Sequence, residues 1–221
     1  MELLPENLPA NPLPLTKLWL DEAMQERAQP NPNSMSLATV NELGQPSVRV
    51  VLCKDFIIDP GYLVLYTNYL SAKSADIDKN PNVAFVMHWD SKGRQVRGEG
   101  LLIKSPAKES DAYFLSRHRG SRIGAWASSQ SQGISSREAL EQQFAETHAR
   151  FADTEVPRPP HWGGYRLWFT AIELWLNLES RLHDRARWER SVQLPEQASP
   201  SPATPGPVSY THLTLPTTPY V

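Results

Sequence analysis

Apolar residues alternate with polar ones through much of the middle of the chain. From Ser47 to Lys54, Arg49, Val51 and Cys53 fall on one side, and Val50, Leu52 and Lys54 on the other. That period of two is the mark of an extended strand. Comparable runs cover Ser36 to Val40, Tyr62 to Thr67, Val83 to Trp89, Arg94 to Lys104, Gly164 to Asn177 and Arg185 to Val192. Asn41 to Pro46, with Gly44, reads as a turn between the first two strands. Helical spacing interrupts the strands. It predicts a helix from Leu15 to Arg27, with Leu18, Leu20 and Met24 on or near its apolar face, broken by Pro30-Asn31-Pro32-Asn33. Ser71 is positioned to cap a short helix through Lys79. Ser105 followed by Pro106 opens another, which carries Tyr113, Phe114 and Arg117. Ser135 and Glu138 have capping-box spacing ahead of a helix whose buried stripe would be Leu140, Phe144 and Phe151.

Short strands at this spacing predict a mainly β domain with flanking helices, built as an antiparallel barrel or sandwich. No Gly-x-Gly-x-x-Gly follows a strand, so a Rossmann dinucleotide site is not expected. Residues 1–13 read as an extended arm and residues 14–192 as one folded domain. Residues 193–221 are rich in Pro, Ser and Thr and lack periodicity; they are expected to be disordered, and the last of them read as foreign to the domain, a non-native tail.

Composition narrows the function. A formal net charge of −2 over 221 residues gives no basic footprint for nucleic acid. The single cysteine, Cys53, cannot form an internal disulfide and fits a reducing compartment. The first residues lack a basic, apolar leader, and no apolar run approaches the roughly 20 residues that span a bilayer. The expectation is a cytoplasmic protein with neither membrane nor nucleic acid as partner, and no metal site.

Chemistry concentrates at Trp175 and at Arg181-Leu182-His183-Asp184-Arg185. In an extended segment Arg181, His183 and Arg185 would share a face, toward an anion or an electron-rich ring, with Leu182 turned inward. A solvated edge strand, with Asp184 pairing an arginine, would give the same order.

Several segments together carry a resemblance: Arg49-Val50-Val51-Leu52-Cys53-Lys54, Tyr66-Thr67-Asn68, Ser71-Ala72-Lys73, Arg94-Gln95-Val96, Ser116-Arg117, Ser121-Arg122-Ile123-Gly124-Ala125-Trp126, Gln130-Ser131, Trp162-Gly163-Gly164-Tyr165-Arg166, and Arg181 to Arg185. In that order they resemble the pyridoxamine 5′-phosphate oxidase family, over roughly Leu8 to Arg190. The resemblance implies an FMN-binding split β-barrel that works as a homodimer, with FMN at the subunit interface. It implies oxidation of pyridoxine or pyridoxamine 5′-phosphate to pyridoxal 5′-phosphate with O2 as acceptor, giving H2O2. The implied cofactor residues are Arg49 to Lys54, Tyr66, Thr67, Ser71, Lys73, Gln95, Trp175 and Arg185, with Gln130 and Ser131 contributed by the partner subunit. The implied substrate residues are Lys54, Tyr113, Arg117 and Ser121 at the phosphate, and Arg181, Leu182 and His183 at the ring. Arg181 and His183 carry the catalytic assignment, orienting and binding rather than acting as an essential base.

Elementary chemistry fits some of these roles. A phosphate dianion wants cationic and N–H donors, best at a helix start; Arg49 and Lys73 supply the cations. Tyr113 and Arg117, four apart, would share a helix face. Each residue also has a plainer reading: Lys73 as a solvated helix lysine, Gln95 as a strand polar residue, Trp175 as core, Arg185 as a surface ion pair. The chain departs from the family pattern at Ala72, where an arginine is usual, at Leu176-Asn177, where Gln-Gly is common, and in its final strand. A flavin oxidase of the same fold acting on a phenazine-type ring, or a non-catalytic FMN or pyridoxal 5′-phosphate carrier, are the other readings.

Overall fold

The computed structural model describes residues 3–192 and 211–214. Its strands are β1 (Ser34–Val40), β2 (Pro46–Leu52), β3 (Asp55–Ile57), β4 (Tyr62–Asn68), β5 (Asn82–Trp89), β6 (Arg94–Lys104), β7 (Trp162–Leu176), β8 (Asp184–Glu189) and β9 (Thr211–Thr214). The helices are α1 (Leu13–Gln25), α2 (Ala72–Lys79), α3 (Ala107–Ser116), α4 (Arg119–Ala127) and α5 (Arg137–Arg150). The strands pair antiparallel in the order β2-β1-β5-β6-β7-β4-β3. The 15-residue β7 organises the sheet. β6 runs along one of its edges. The other edge is shared, by β4 opposite Trp162 to Trp168 and by β8 opposite Ala171 to Leu176. The backbone N–H of Lys54 donates to the Val64 carbonyl at 2.8 Å, tying the end of β2 to β4 and bending the sheet into a half-barrel.

The alternation read from the sequence sorts residues as a half-barrel requires. Leu37, Leu65, Met87, Val96, Leu167, Phe169, Leu174 and Trp188 fill the interior, and α1 caps it with Trp19, Leu20 and Ala23. Arg94 anchors α1 by lying over the Trp19 ring and pairing with Glu22. A smaller apolar cluster, Phe114, Ile123, Phe151, Val156 and Trp162, sits beneath α3, α4 and α5.

Several expectations need correcting. On α1 the buried stripe is Leu13, Thr16, Leu20 and Ala23 with Trp19, while Leu18 and Met24 are exposed. Pro106, not Ser105, precedes α3: the Pro106 carbonyl accepts from the Glu109 and Ser110 N–H groups at 3.1 Å, while Ser105 donates its N–H to the Gly164 carbonyl of β7 at 2.8 Å. The cap of α5 is Ser136, whose Oγ accepts from the Ala139 N–H at 3.1 Å; Ser135 lies one residue too early. No residue within α5 is buried, and Phe144 is exposed; only Phe151, just past its end, joins the core. α4 and β3 were not foreseen: Gly120 and Gly124 dilute the helix signal, and a three-residue strand is too short to show a period. Within the tail expected to be disordered, residues 211–214 pair with β8; the remainder lies outside the described residues.

Candidate active site

The turn from β4 into α2 builds the first part of the site. Asn68 makes that turn: its Oδ1 accepts from the Leu70 N–H at 2.8 Å, and its carbonyl accepts from Ser74 Oγ at 2.9 Å. The chain folds back sharply, and Lys73 in the first turn of α2 reaches Thr67 at the end of β4. Lys73 is 7% exposed. Its Nζ donates to Thr67 Oγ1 at 2.9 Å, Ser71 Oγ at 3.0 Å and Gln130 Oε1 at 3.4 Å. All three acceptors are neutral. Burial, reinforced by the nearby Arg49 guanidinium, pulls the Lys73 ammonium down to about 8. Arg49 is itself held by the Leu37 carbonyl, Thr39 Oγ1 and Ser47 Oγ, at 3.2, 2.8 and 2.8 Å, and lies 3.9 Å from Asp76. Burial lowers its pKa, against the opposing pull of Asp76. Arg49 and Lys73 are two neighbouring cations and Asp76 pairs with Arg49 alone, so the seat keeps a positive bias that favours an anion. Gln130, which the family resemblance assigned to the partner subunit, reaches Lys73 and Thr67 of its own chain. Ser71 takes the cap position of α2, but its hydroxyl serves Lys73 and Ser74 rather than the helix.

A cleft of about 390 Å³ opens beside this seat, lined by Tyr66, Thr67, Arg117, Ser121, Gln130 and Trp162 among others. Aromatic rings form its wall. Tyr66 stacks on Tyr113 at 3.8 Å and lies parallel to Trp162 at 5.5 Å. Arg117 lies over the Trp162 ring at 4.6 Å and over Phe114 at 5.6 Å. Its NH1 is buried and has no hydrogen-bond partner among the described residues. Tyr113 and Arg117 do not share a helix face as expected: α3 ends at Ser116, and Arg117 is extended, at φ −75° and ψ 149°. His118, also extended, turns the chain into α4, which brings Ser121 to the cleft. The two residues meet through Trp162 instead of through helical spacing. Gly164 is a requirement of this wall, because a Cβ there would lie 2.9 Å from Tyr66 Cε1 and 2.7 Å from Ser105 Oγ.

A second group of expected residues lies elsewhere. Gln95, Trp175 and Arg185 are register partners on β6, β7 and β8, so their side chains form one row across the sheet. None of the three lines the cleft. The next row is Arg97, Glu173 and Arg187. Glu173 is buried between two arginines, 3.0 Å from Arg97 Nε and 2.6 Å from an Arg185 terminal nitrogen. The Arg181 to Arg185 segment is not a continuous strand. Ser180 and Arg181 have φ of 57° and 61°, a tight turn precedes Asp184, and Leu182 is 59% exposed rather than turned inward. The shared face predicted for Arg181, His183 and Arg185 therefore does not form. His183 instead packs against Trp175 at 4.6 Å, and its Nδ1 accepts from the Leu178 N–H at 3.1 Å. That bond leaves Nε2 as the ring nitrogen free to meet a ligand.

The remaining expected residues are dispersed. Val50 is exposed on β2, Val51 and Leu52 are half-buried, and Lys54 is exposed beyond the strand. Cys53 is buried, its thiol donating to the Asp55 carbonyl, and burial pushes it up to about 12. Ser131 follows Gln130 with φ of 66°. Among the described residues, no group of three or more His, Cys, Asp or Glu could hold a metal, and no helix is long and apolar enough to cross a membrane. Trp162 and Glu173 carry no role in the sequence reading. The Gly163-Gly164 pair beside Trp162 was the one available signal of a crowded ring wall.

Comparison with known proteins bears on this arrangement. Residues 20–151 match the family model described as pyridoxamine 5′-phosphate oxidase, and residues 162–199 match the pyridoxine 5′-phosphate oxidase C-terminal dimerisation region. A pyridoxine/pyridoxamine 5′-phosphate oxidase of Bordetella avium is 52% identical over 186 residues, 84% of this chain and 86% of that protein. Its namesake in Microcystis aeruginosa is 47% identical over 189 residues, 86% of this chain and 87% of that one. Among solved structures, PhzG from Burkholderia lata 383, in complex with tetrahydrophenazine-1-carboxylic acid, superposes with a TM-score of 0.81 at 27% identity, over 97% of this chain and 98% of that one. A pyridoxamine 5′-phosphate oxidase-related, FMN-binding protein from Nostoc punctiforme shares the fold, with a TM-score of 0.65 at 17% identity, over 91% of this chain and 97% of that one. Matched by two family models in succession and by relatives at about half identity, the chain belongs to the pyridoxamine 5′-phosphate oxidase family.

Proposed function

We propose that this protein is an FMN-dependent oxidase that converts pyridoxine or pyridoxamine 5′-phosphate to pyridoxal 5′-phosphate, with O2 as acceptor and H2O2 as by-product. One observation carries the reading: one cleft has a cation at each of two stations, a half-buried arginine in its lining and a buried lysine directly behind Thr67 and Gln130, which line it. Lys73, with Thr67, Ser71 and Gln130, stands at one, and Arg117, with Ser121, at the other. A phosphorylated cofactor beside a phosphorylated substrate needs two such stations. The residues fit FMN on their own chemistry, since Lys73 is buried among neutral oxygens and Arg117 NH1 lacks a partner.

In this reading Lys73, Thr67, Ser71 and Gln130 hold the FMN phosphate, and Arg49 adds positive charge. Tyr66 and the β2 segment Val50 to Lys54 border the cofactor. The Gln95 amide hydrogen-bonds its ring edge, while Trp175 and Arg185 flank it. Arg117, Tyr113, Ser121 and Lys54 hold the substrate phosphate. Arg181 and His183, with Leu182 between them, position the pyridine ring, and His183 offers its Nε2. FMN, when bound, would supply the two-electron redox chemistry of the oxidation, with O2 as the final acceptor. The residues contribute by fixing distance and orientation, which can lower a barrier substantially. With the amine substrate, water hydrolyses the resulting imine and releases ammonia.

The cleft and the Gln95–Trp175–Arg185 row are separate on one chain. The dimerisation region spans residues 162–199 and includes Trp175, His183 and Arg185. We read the working unit as a homodimer, in which the row of one chain completes the cleft of the other.

A phenazine-type substrate is the competing reading, favoured by the likeness to PhzG. The test is O2-dependent formation of pyridoxal 5′-phosphate by purified protein with and without added FMN, with tetrahydrophenazine-1-carboxylic acid offered in parallel. FMN-dependent turnover of the vitamin phosphate is expected. Turnover of the phenazine acid alone would replace this reading, and FMN loading without turnover of either would make the protein a carrier.

A further inference from the structure

We propose that Trp162 is the positioning residue of the substrate's phosphate clamp, acting through Arg117: its indole face holds the guanidinium at the cleft without spending its NH1 donors on a protein acceptor. This rests on the reading of Arg117 as part of that clamp, and it assigns a residue that reading leaves without a role.

Arg117 is the first residue beyond α3, on extended backbone, so no helix fixes its side chain. A guanidinium that must leave one nitrogen free for a ligand needs another surface to hold it. The flat face of an indole serves, because it attracts the cation without consuming an N–H donor. The Arg117 guanidinium carbon lies 4.6 Å from the Trp162 ring centre, closer than the 5.6 Å to Phe114. A carboxylate partner would hold the arginine more tightly but would neutralise it. Among the described residues no ion pair of Arg117 is seen, whereas Arg119, Arg158 and Arg166 in the same region are bound to carbonyls or carboxylates.

Trp162 is in turn fixed. It is buried at the first position of β7, edge-on to Phe114 at 5.1 Å and parallel to Tyr66 at 5.5 Å. Its carbonyl accepts from Arg158 at 2.7 Å and its N–H donates to the Pro159 carbonyl at 3.1 Å. The ring cannot turn away without breaking the aromatic wall.

The test titrates FMN-loaded protein by calorimetry with pyridoxal 5′-phosphate, unphosphorylated pyridoxal and inorganic phosphate, and measures KM and kcat alongside. Trp162→Leu is expected to weaken pyridoxal 5′-phosphate and inorganic phosphate by about tenfold, leaving FMN and pyridoxal affinity unchanged. KM should rise by a similar factor with kcat retained. Trp162→Phe keeps a smaller, weaker ring and should lose only about threefold. Unchanged phosphate binding in Trp162→Leu, or an equal loss for pyridoxal and its phosphate, would overturn the proposal. Should Trp162→Leu fail to load FMN, Trp162→Phe carries the test: a small loss confined to phosphate-bearing ligands supports it, and an unselective or absent loss overturns it. If the unaltered protein binds pyridoxal as tightly as its phosphate, the proposed substrate is wrong; inorganic phosphate still reports whether Trp162 governs Arg117.

Discussion

Lys73, proposed above to hold the FMN phosphate, ties that proposed binding to pH. Its ammonium is drawn down to about 8 by burial and by Arg49. A bound phosphate favours the charged form, so above that pH binding must first take up a proton. FMN affinity is therefore expected to be flat between about pH 7 and 8, where the phosphate is a dianion, and to fall as pH rises further, as a fluorescence-quenching titration on either side would show. Without FMN the sign reverses. The folded chain binds fewer protons at Lys73 than the unfolded chain between about 8 and the ordinary value of 10.5. Stability of the FMN-free protein should rise with pH across that window. Ala72 lies beside Lys73 and is exposed at the start of α2, where the family usually supplies an arginine. A charge-assisted hydrogen bond contributes roughly 1.5–3 kcal/mol. Ala72→Arg should accordingly tighten FMN by about tenfold or more. The cationic residues of this seat were legible in the sequence because charge and helix position are local properties. The place of Gln130 was not: it lies 57 residues from Lys73, and only the fold decides which chain's lysine it meets.

Among the elements, β7 does most to shape the site. Its first residues, Trp162 to Gly164, lie against β4 and carry the ring wall; its last, Glu173 and Trp175, carry the opposite row. Gly164→Ala would push a methyl group into Tyr66 and Ser105. It should cost about 1–3 kcal/mol of unfolding free energy by chemical denaturation, and it should disturb the Tyr66–Tyr113 stack. The strand pattern was readable because a period of two survives wherever one face is buried. The α3–α4 corner was not readable, since a Tyr and an Arg four apart look the same whether or not the helix continues through them. The Arg181 to Arg185 segment misled for a similar reason. Alternating charge suggests a strand, but positive φ at Ser180 and Arg181 makes a turn and sends Leu182 outward.

At the scale of the whole molecule, the separation of the cleft from the Gln95–Trp175–Arg185 row makes a sharp prediction. Lys73→Ala damages only the cleft, and Arg185→Ala only the row. If each site draws on two chains, either variant alone should be nearly inactive. Unfolding and refolding the two together should restore about a quarter of the original activity, because half the dimers are mixed and each mixed dimer has one intact site. Failure to recover activity, with mixed dimers demonstrated by tagged pull-down, would place both halves of the site on one chain. The exposed Val48 and Val50 on edge strand β2, each 67% exposed, are a surface that an isolated chain has no reason to keep apolar.

The sequence by itself determined the class of fold, the order of the strands and helices other than β3 and α4, and the cationic and aromatic residues proposed for the two phosphates, because period, charge and residue chemistry are written locally. Only the tertiary structure decided which of these residues meet. It joined Tyr113 and Arg117 through Trp162 instead of a helix face, brought Gln130 to its own chain's Lys73, and parted the cleft from the β6–β7–β8 row. Those outcomes depend on contacts between residues far apart in the chain, where closing the half-barrel and burying its aromatic wall outweigh local preference.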